Sequence, residues 1–202
     1  MSVPVYTELQ RDALGELANV GCGQAGTALG TMLARTVELT VPTVRVLDLA
    51  DAVDALGPPE DEVTAVVLPT TGDLEASVLL LFDGTDVARL SVMLGVDPDD
   101  VEMARSAVGE IGNIIGTSYL NAIVAMSGGA SEPEPPVTMT DMRAALVSTA
   151  LAAGPAGAYD AAILVDCRLS VEGEECSLVF VLLAGADDID RLLARIGLGR
   201  EA

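Results

Sequence analysis

The chain has 202 residues, with 31 acidic side chains against 10 basic ones, every basic one an arginine, for a net charge of −21. A surface this acidic repels nucleic acid and anionic lipid, which excludes both as partners. Half the residues are hydrophobic and only 2% are aromatic, so the core must be built from Val, Leu, Ile, Ala and Met, in one domain spanning residues 1–202.

Apolar periodicity predicts a long helix over Glu8 to Arg35, then an extended segment around Pro42 with a strand over Thr40 to Asp48. Strands follow at Thr64 to Leu68 and Ala76 to Phe82, and the Gly and acidic cluster between them in "TTGDLEASVLLLF" is a hairpin signal. A short helix over Asp86 to Leu94 and the acidic "DPDD" (Asp97 to Asp100) precede a second long helix, Glu102 to Met126, whose N-terminal dipole those carboxylates suit. The linker-like "SGGASEPEPP" (Ser127 to Pro136) leads to strands at Val137 to Thr140, Ala162 to Ser170 and Ser177 to Leu183, and to a final helix over Asp187 to Ile196.

The two halves repeat one another. At an offset of 94, Asp12 falls on Ser106, Glu16 on Glu110, Asn19 on Asn113 and Pro42 on Pro136. Further on, "DVARLSVMLG" (Asp86 to Gly95) matches "DIDRLLARIG" (Asp188 to Gly197) at an offset of 102, so about eight residues are added in the second half. A loop insertion within "MTDMRAALVSTALAAGPAGAYD" is the simplest place for them. The expected fold class is α/β in the α+β sense: an internally duplicated, pseudo-two-fold domain, repeats at roughly 8–96 and 102–198, with long helices packed on a mainly antiparallel sheet.

Asp12, Glu16 and Asn19 lie on one helical stripe, as do Ser106, Glu110 and Asn113. Opposite them stand Leu14, Leu17, Gly21, Ala28 and Met32 in the first helix, and Val108, Ile111, Ile115 and Ala122 in the second. The apolar side is expected to pack on the sheet, leaving each Glu and Asn pair outward. The stripe continues to Gly23 and Thr117, small residues that let another protein approach the amides, so two shallow sites are expected. One E-x-x-N pair on a helix is a common accident; two copies, each with its proline twenty-three residues after the Asn, are not. Pro42 and Pro136 themselves read as structural, fixing the chain direction.

No apolar run approaches the roughly 20 residues a spanning helix needs despite a mean hydropathy of +0.48. "MSVPVYTELQRDAL" lacks a secretory pattern, and a cytoplasmic location is expected. Cys22, Cys167 and Cys176 are widely spaced and the chain has no histidine, so neither zinc nor a disulfide framework is expected, and the cysteines read as small core residues. Acidic excess without lysine resembles cytoplasmic proteins of extreme halophiles, whose self-repulsion is screened by multimolar salt; a GC-rich genome also favours Arg over Lys.

The doubled pattern D/S-x3-E-x2-N-x22-P, carried by "DALGELANVGCGQAGTALGTML" and "SAVGEIGNIIGTSYLNAI", resembles the signature of the CheC family of chemotaxis phosphatases, which act on the phosphorylated response regulator CheY. The likeness covers nearly the whole chain. It implies that Asn19 and Asn113 orient a water for in-line attack on an aspartyl phosphate, and that Glu16 and Glu110 bind the regulator's active-site lysine. Asp12 and Ser106 would be secondary contacts. It implies no cofactor of the chain's own, with Mg²⁺ held by the regulator, and the deamidase CheD as a further partner, for which Asp187 to Ile196 or Asp86 to Leu94 could be the docking surface. Two alternatives stay open: an adaptor that binds CheY-phosphate or CheD with little turnover, and a flagellar switch component of the same fold, against which the intact Glu and Asn pairs argue.

Overall fold

Thr7 starts the first helix through a reciprocal cap: its Oγ1 accepts from the backbone N of Gln10 at 3.3 Å, and Gln10 Oε1 accepts from the backbone N of Thr7 at 2.9 Å. The computed structural model describes residues 6–153, 159, 161–172 and 174–199. Its elements run α1 (Glu8–Leu33), β1 (Val37–Asp48), α2 (Leu49–Ala55), β2 (Glu62–Gly72), β3 (Ala76–Asp83), α3 (Gly84–Met93) and α4 (Val101–Ser127). They continue as β4 (Ser131–Pro133), β5 (Val137–Met142), α5 (Arg143–Ala153), β6 (Ala161–Val171), β7 (Glu174–Ala184) and α6 (Ala186–Arg195). Asp100 caps α4 by accepting from the backbone N of Met103 at 3.2 Å, the use of "DPDD" that helix electrostatics favours.

The strands form one antiparallel sheet ordered β1-β6-β7-β3-β2, with β4 and β5 both pairing β2 at the far edge. Exchanging the halves, with β1 for β5, β2 for β6 and β3 for β7, turns this order into its own reverse. At the centre, Leu79 of β3 pairs with Val181 of β7, its own counterpart 102 positions later, so the pseudo-two-fold axis passes between these two residues. The expected duplication is therefore written into the register of the central pair.

The extra residues of the second half are distributed differently from the expectation. Ser77 pairs with Pro69 across seven intervening residues; its counterpart Val179 pairs with Asp166 across twelve. Five of the added residues thus lengthen the β6–β7 hairpin, whose outer end pairs Val171 to Arg168 with Val37 to Thr40 of β1. Nor is the expected insertion simply a loop, because α5 occupies Arg143–Ala153. The stretch "GPAGAYD" lies mostly outside the described residues. Part of the linker-like segment is strand as well: Ser131 to Pro133 pairs with Gly72 to Thr70.

Alternate strand residues feed two cores, because successive side chains point to opposite faces. Val66, Leu68, Val78, Leu80, Phe82, Val165 and Phe180 pack with α1, α3, α4 and α6. Ala65, Val67, Leu79, Leu81, Leu164 and Val181 pack with α2 and α5. Burial on both faces explains why "SVLLLF" is apolar throughout instead of alternating. Each fully buried Leu or Phe contributes about 1.5–3 kcal/mol.

The buried face of α1 corrects one expectation. Leu14, Leu17 and Gly21 are buried, but Ala28 is exposed and Met32 is 43% exposed, while Ala25 and Leu29 are buried instead. The cause is the strand that returns along the helix. A Cβ on Gly26 would lie 3.4 Å from the backbone of Val37 and Leu39, and one on Gly30 would lie 3.2 Å from the Arg35 carbonyl, so the last turns bury their β1-facing side. Pro42 sits in β1 where the register against β6 shifts between Thr40 and Thr43, an irregularity that tolerates its missing N–H.

Candidate functional site

Close helix packing sets the outward direction of the first motif. Gly21 of α1 meets Tyr119 of α4 so tightly that an added Cβ would approach the Tyr119 Cα to 2.8 Å. Tyr119 itself lies fully buried against Phe180, ring centroids 4.4 Å apart, and burial pushes its phenol pKa up. Beneath α1, the Sγ atoms of Cys22 and Cys167 are 3.9 Å apart, and the contact with Cys22 together with burial raises the Cys167 thiol. With that side committed to the core, Asp12, Glu16 and Asn19 are all exposed. They border an open depression of about 480 Å³, completed by Glu8, Arg11 and Gly15 and walled by Val41 and Val44 of β1.

The second motif has the same order on α4 but a different surface. Ser106 and Glu110 are exposed, whereas Asn113 is half-buried. Thr117 Oγ1 donates to Asn113 Oδ1 at 3.4 Å. The floor differs too: nothing lies within 4 Å of a Cβ on Gly15, but one on Gly109 would lie 2.6 Å from Thr138 Oγ1 of β5. Gly112 and Gly116 seat α4 tightly on Val66, Leu68 and Val78. The structure thus brings Asp12, Glu16 and Asn19 together beside an open groove, and sets exposed Ser106 and Glu110 and half-buried Asn113 along α4, where Gly109 meets Thr138 of β5 in place of open space.

One pair of residues escaped the sequence reading. Arg11 and Arg105 stand one position before Asp12 and Ser106, at the same offset of 94, so the repeat extends to R-x-A-x-G-E-x2-N. Both are exposed. The signal was the identity of the arginine in both copies, hidden because it lies to the side of the Glu and Asn stripe.

Comparisons with known proteins bear on the family and the fold. The CheC-like family profile matches residues 9–46, the stretch from α1 through most of β1. The CheY-P phosphatase CheC of Bacillus subtilis (strain 168) is 28% identical over 200 residues, covering 94% of this chain and 95% of that protein. The flagellar motor switch phosphatase FliY of the same organism is 35% identical over 113 residues, which are 53% of this chain and 29% of FliY. In fold, the chain is similar to the crystal structure of Thermotoga maritima FliY, with a TM-score of 0.77 at 23% identity, over 98% of this chain and 100% of that one. Fold and sequence likeness point the same way: over nearly its whole length the chain is similar to proteins of the CheC/CheX/FliY family.

Proposed function

We propose that this protein is a phosphatase that accelerates hydrolysis of the aspartyl phosphate of the response regulator CheY. The observation that carries the reading is the doubled Glu and Asn motif on two helices whose other faces are committed to the core, in a chain that aligns almost end to end with a CheY-P phosphatase. An acyl phosphate is intrinsically labile, so the chain's own residues have little covalent chemistry to perform. What remains is to place a water in line with the scissile P–O bond. A neutral amide suits this because it accepts from and donates to water without repelling the phosphoryl oxygens, the role assigned to Asn19 and Asn113. Glu16 and Glu110, one helical turn away, take the regulator's lysine and set the register of docking.

In this reading the chain contributes no cofactor, and the Mg²⁺ ion belongs to the regulator. CheD is a second partner on the strength of the family resemblance. Among the described residues no helix is long and apolar enough to cross a membrane, and we place the protein in the cytoplasm, where the regulator is phosphorylated. The test is the decay of labelled phosphoryl-CheY in multimolar KCl with and without the protein. Faster decay supports the phosphatase. Stoichiometric binding with an unchanged lifetime supports the adaptor alternative.

A further inference from the structure

The charge distribution leaves a difficulty that the motif residues do not resolve. A chain of net charge −21 must dock on a partner whose reacting centre is a phosphorylated carboxylate, itself strongly anionic. The Glu16 and Glu110 carboxylates add to the repulsion everywhere except at one lysine.

Half of the ten arginines are in no position to help. Arg45, Arg89, Arg143, Arg191 and Arg195 are each neutralised by a carboxylate of the chain itself, respectively Asp166, Asp86, Asp61, Asp188 and Asp73. Among the described residues Arg11, Arg35, Arg105 and Arg168 are in no such pair, and of these four Arg11 and Arg105 stand beside the Glu and Asn motifs. The residue one turn beyond each is a glycine, Gly15 and Gly109, and the carboxylates one turn before, Glu8 and Glu102, form no ion pair with them. Arg11 is also oriented: its Nη1 donates to the Tyr6 carbonyl at 2.7 Å, and it borders the depression shared with Glu16 and Asn19. The same residue type recurs at the same place in both halves, although arginine fills only 10 of 202 positions.

We infer that Arg11 and Arg105 are docking residues of the two sites, each taking a carboxylate from the acidic rim of the partner's phosphorylation site while the adjacent Asn reaches the phosphoryl group. The inference rests on the phosphatase reading, since that reading supplies the acidic partner. The two guanidinium groups contribute through partner affinity, because rim charges act on association and register, and leave the chemical step to the amides. Each regulator docks at one motif, so both arginines must be changed for the effect to be read cleanly.

The test compares wild type with Arg11→Gln/Arg105→Gln, using CheY loaded with beryllofluoride and Mg²⁺ as the probe for binding and phosphoryl-CheY for turnover. We expect the double variant to bind about three- to tenfold more weakly at ~0.3 M KCl and less than about twofold more weakly at ~3 M, where screening is nearly complete. Turnover at saturating regulator stays at the wild-type value, and Arg11→Lys/Arg105→Lys recovers most of the affinity. Equal binding by wild type and the Gln variant would overturn the inference while leaving the phosphatase reading intact. A fall in saturated turnover with unchanged binding would overturn it as well. Wild type that neither binds the loaded regulator nor hydrolyses its phosphate would overturn both.

Discussion

Thr117 donates a hydrogen bond from Oγ1 to Oδ1 of Asn113 across one turn of α4, at 3.4 Å. The corresponding position in α1 is Gly23, which has no side chain to do the same for Asn19. The two amides therefore differ in freedom: one is exposed beside an open groove, the other half-buried and tethered. In an Asn19→Ala background, which isolates the second site, Thr117→Val should lower turnover about two- to fivefold, the worth of one modest hydrogen bond. Affinity for the regulator should hold, and Thr117→Ser should restore the rate. Steady-state kinetics separating kcat from KM give the answer, and an effect confined to KM would show that Thr117 shapes docking instead.

Two glycines only two residues apart on α1 should respond in opposite ways. A methyl group on Gly21 would sit 2.8 Å from the Cα of Tyr119, a backbone atom of α4 that can move only by parting the helices. Gly21→Ala is expected to destabilise the fold by about 1–3 kcal/mol through overpacking. Gly23 has open space around it, and Gly23→Ala should be neutral or stabilising by up to about 1 kcal/mol through helix propensity. Thermal unfolding of the two variants in the same salt would show it; equal midpoints would contradict the close α1–α4 contact.

Helices α1 and α4 were legible because each carries its own cap and a long run of apolar periodicity, and the outward stripe of Asp12, Glu16 and Asn19 followed from spacing alone. The elements that escaped are those that tertiary pairing decides. Ser131 to Pro133 is strand because Thr70 to Gly72 offers it an edge, and nothing in "SEP" prefers that state. Helix α5 was hidden by an offset that invited a single insertion, whereas the registers divide the extra residues between this region and the β6–β7 hairpin. At the sites, the approach of Thr138 from β5 to Gly109 is a contact that periodicity along α4 cannot report.

Two repeated aspartates should make stability fall as pH rises. Burial pushes the Asp86 carboxyl above its ordinary range, with the Asp83 charge adding, against the Ser177 backbone N–H and Arg89. Burial does the same to Asp188, against its partner Arg191. A folded-state pKa above the unfolded value of about 3.9 means each group's contribution is complete below that pH and is lost as pH climbs through the folded value. Asp86→Asn should therefore gain stability relative to wild type between about pH 4 and pH 7. Urea unfolding in constant high KCl measures the difference, and a gap that stays flat across this window would count against the assignment.

Salt should act on the partner complex as well as on the fold. With 31 acidic residues facing a partner that presents an anionic phosphoryl group, repulsion at low ionic strength opposes docking, and added KCl shortens its reach from about 10 Å at 0.1 M to about 3 Å at 1 M. The rate constant kcat/KM for phosphoryl-CheY should rise with KCl into the molar range. An optimum near 0.1 M would contradict a halophilic origin for the acidic surface.

The most direct measurement of the central claim is the lifetime of labelled phosphoryl-CheY in multimolar KCl with wild type and with Asn19→Ala/Asn113→Ala. Both substitutions fall on the outward faces of capped helices, so circular dichroism should show an unchanged fold. The account predicts that wild type shortens the lifetime and that the double variant returns it to the spontaneous value. Undiminished hydrolysis by a folded double variant would contradict it.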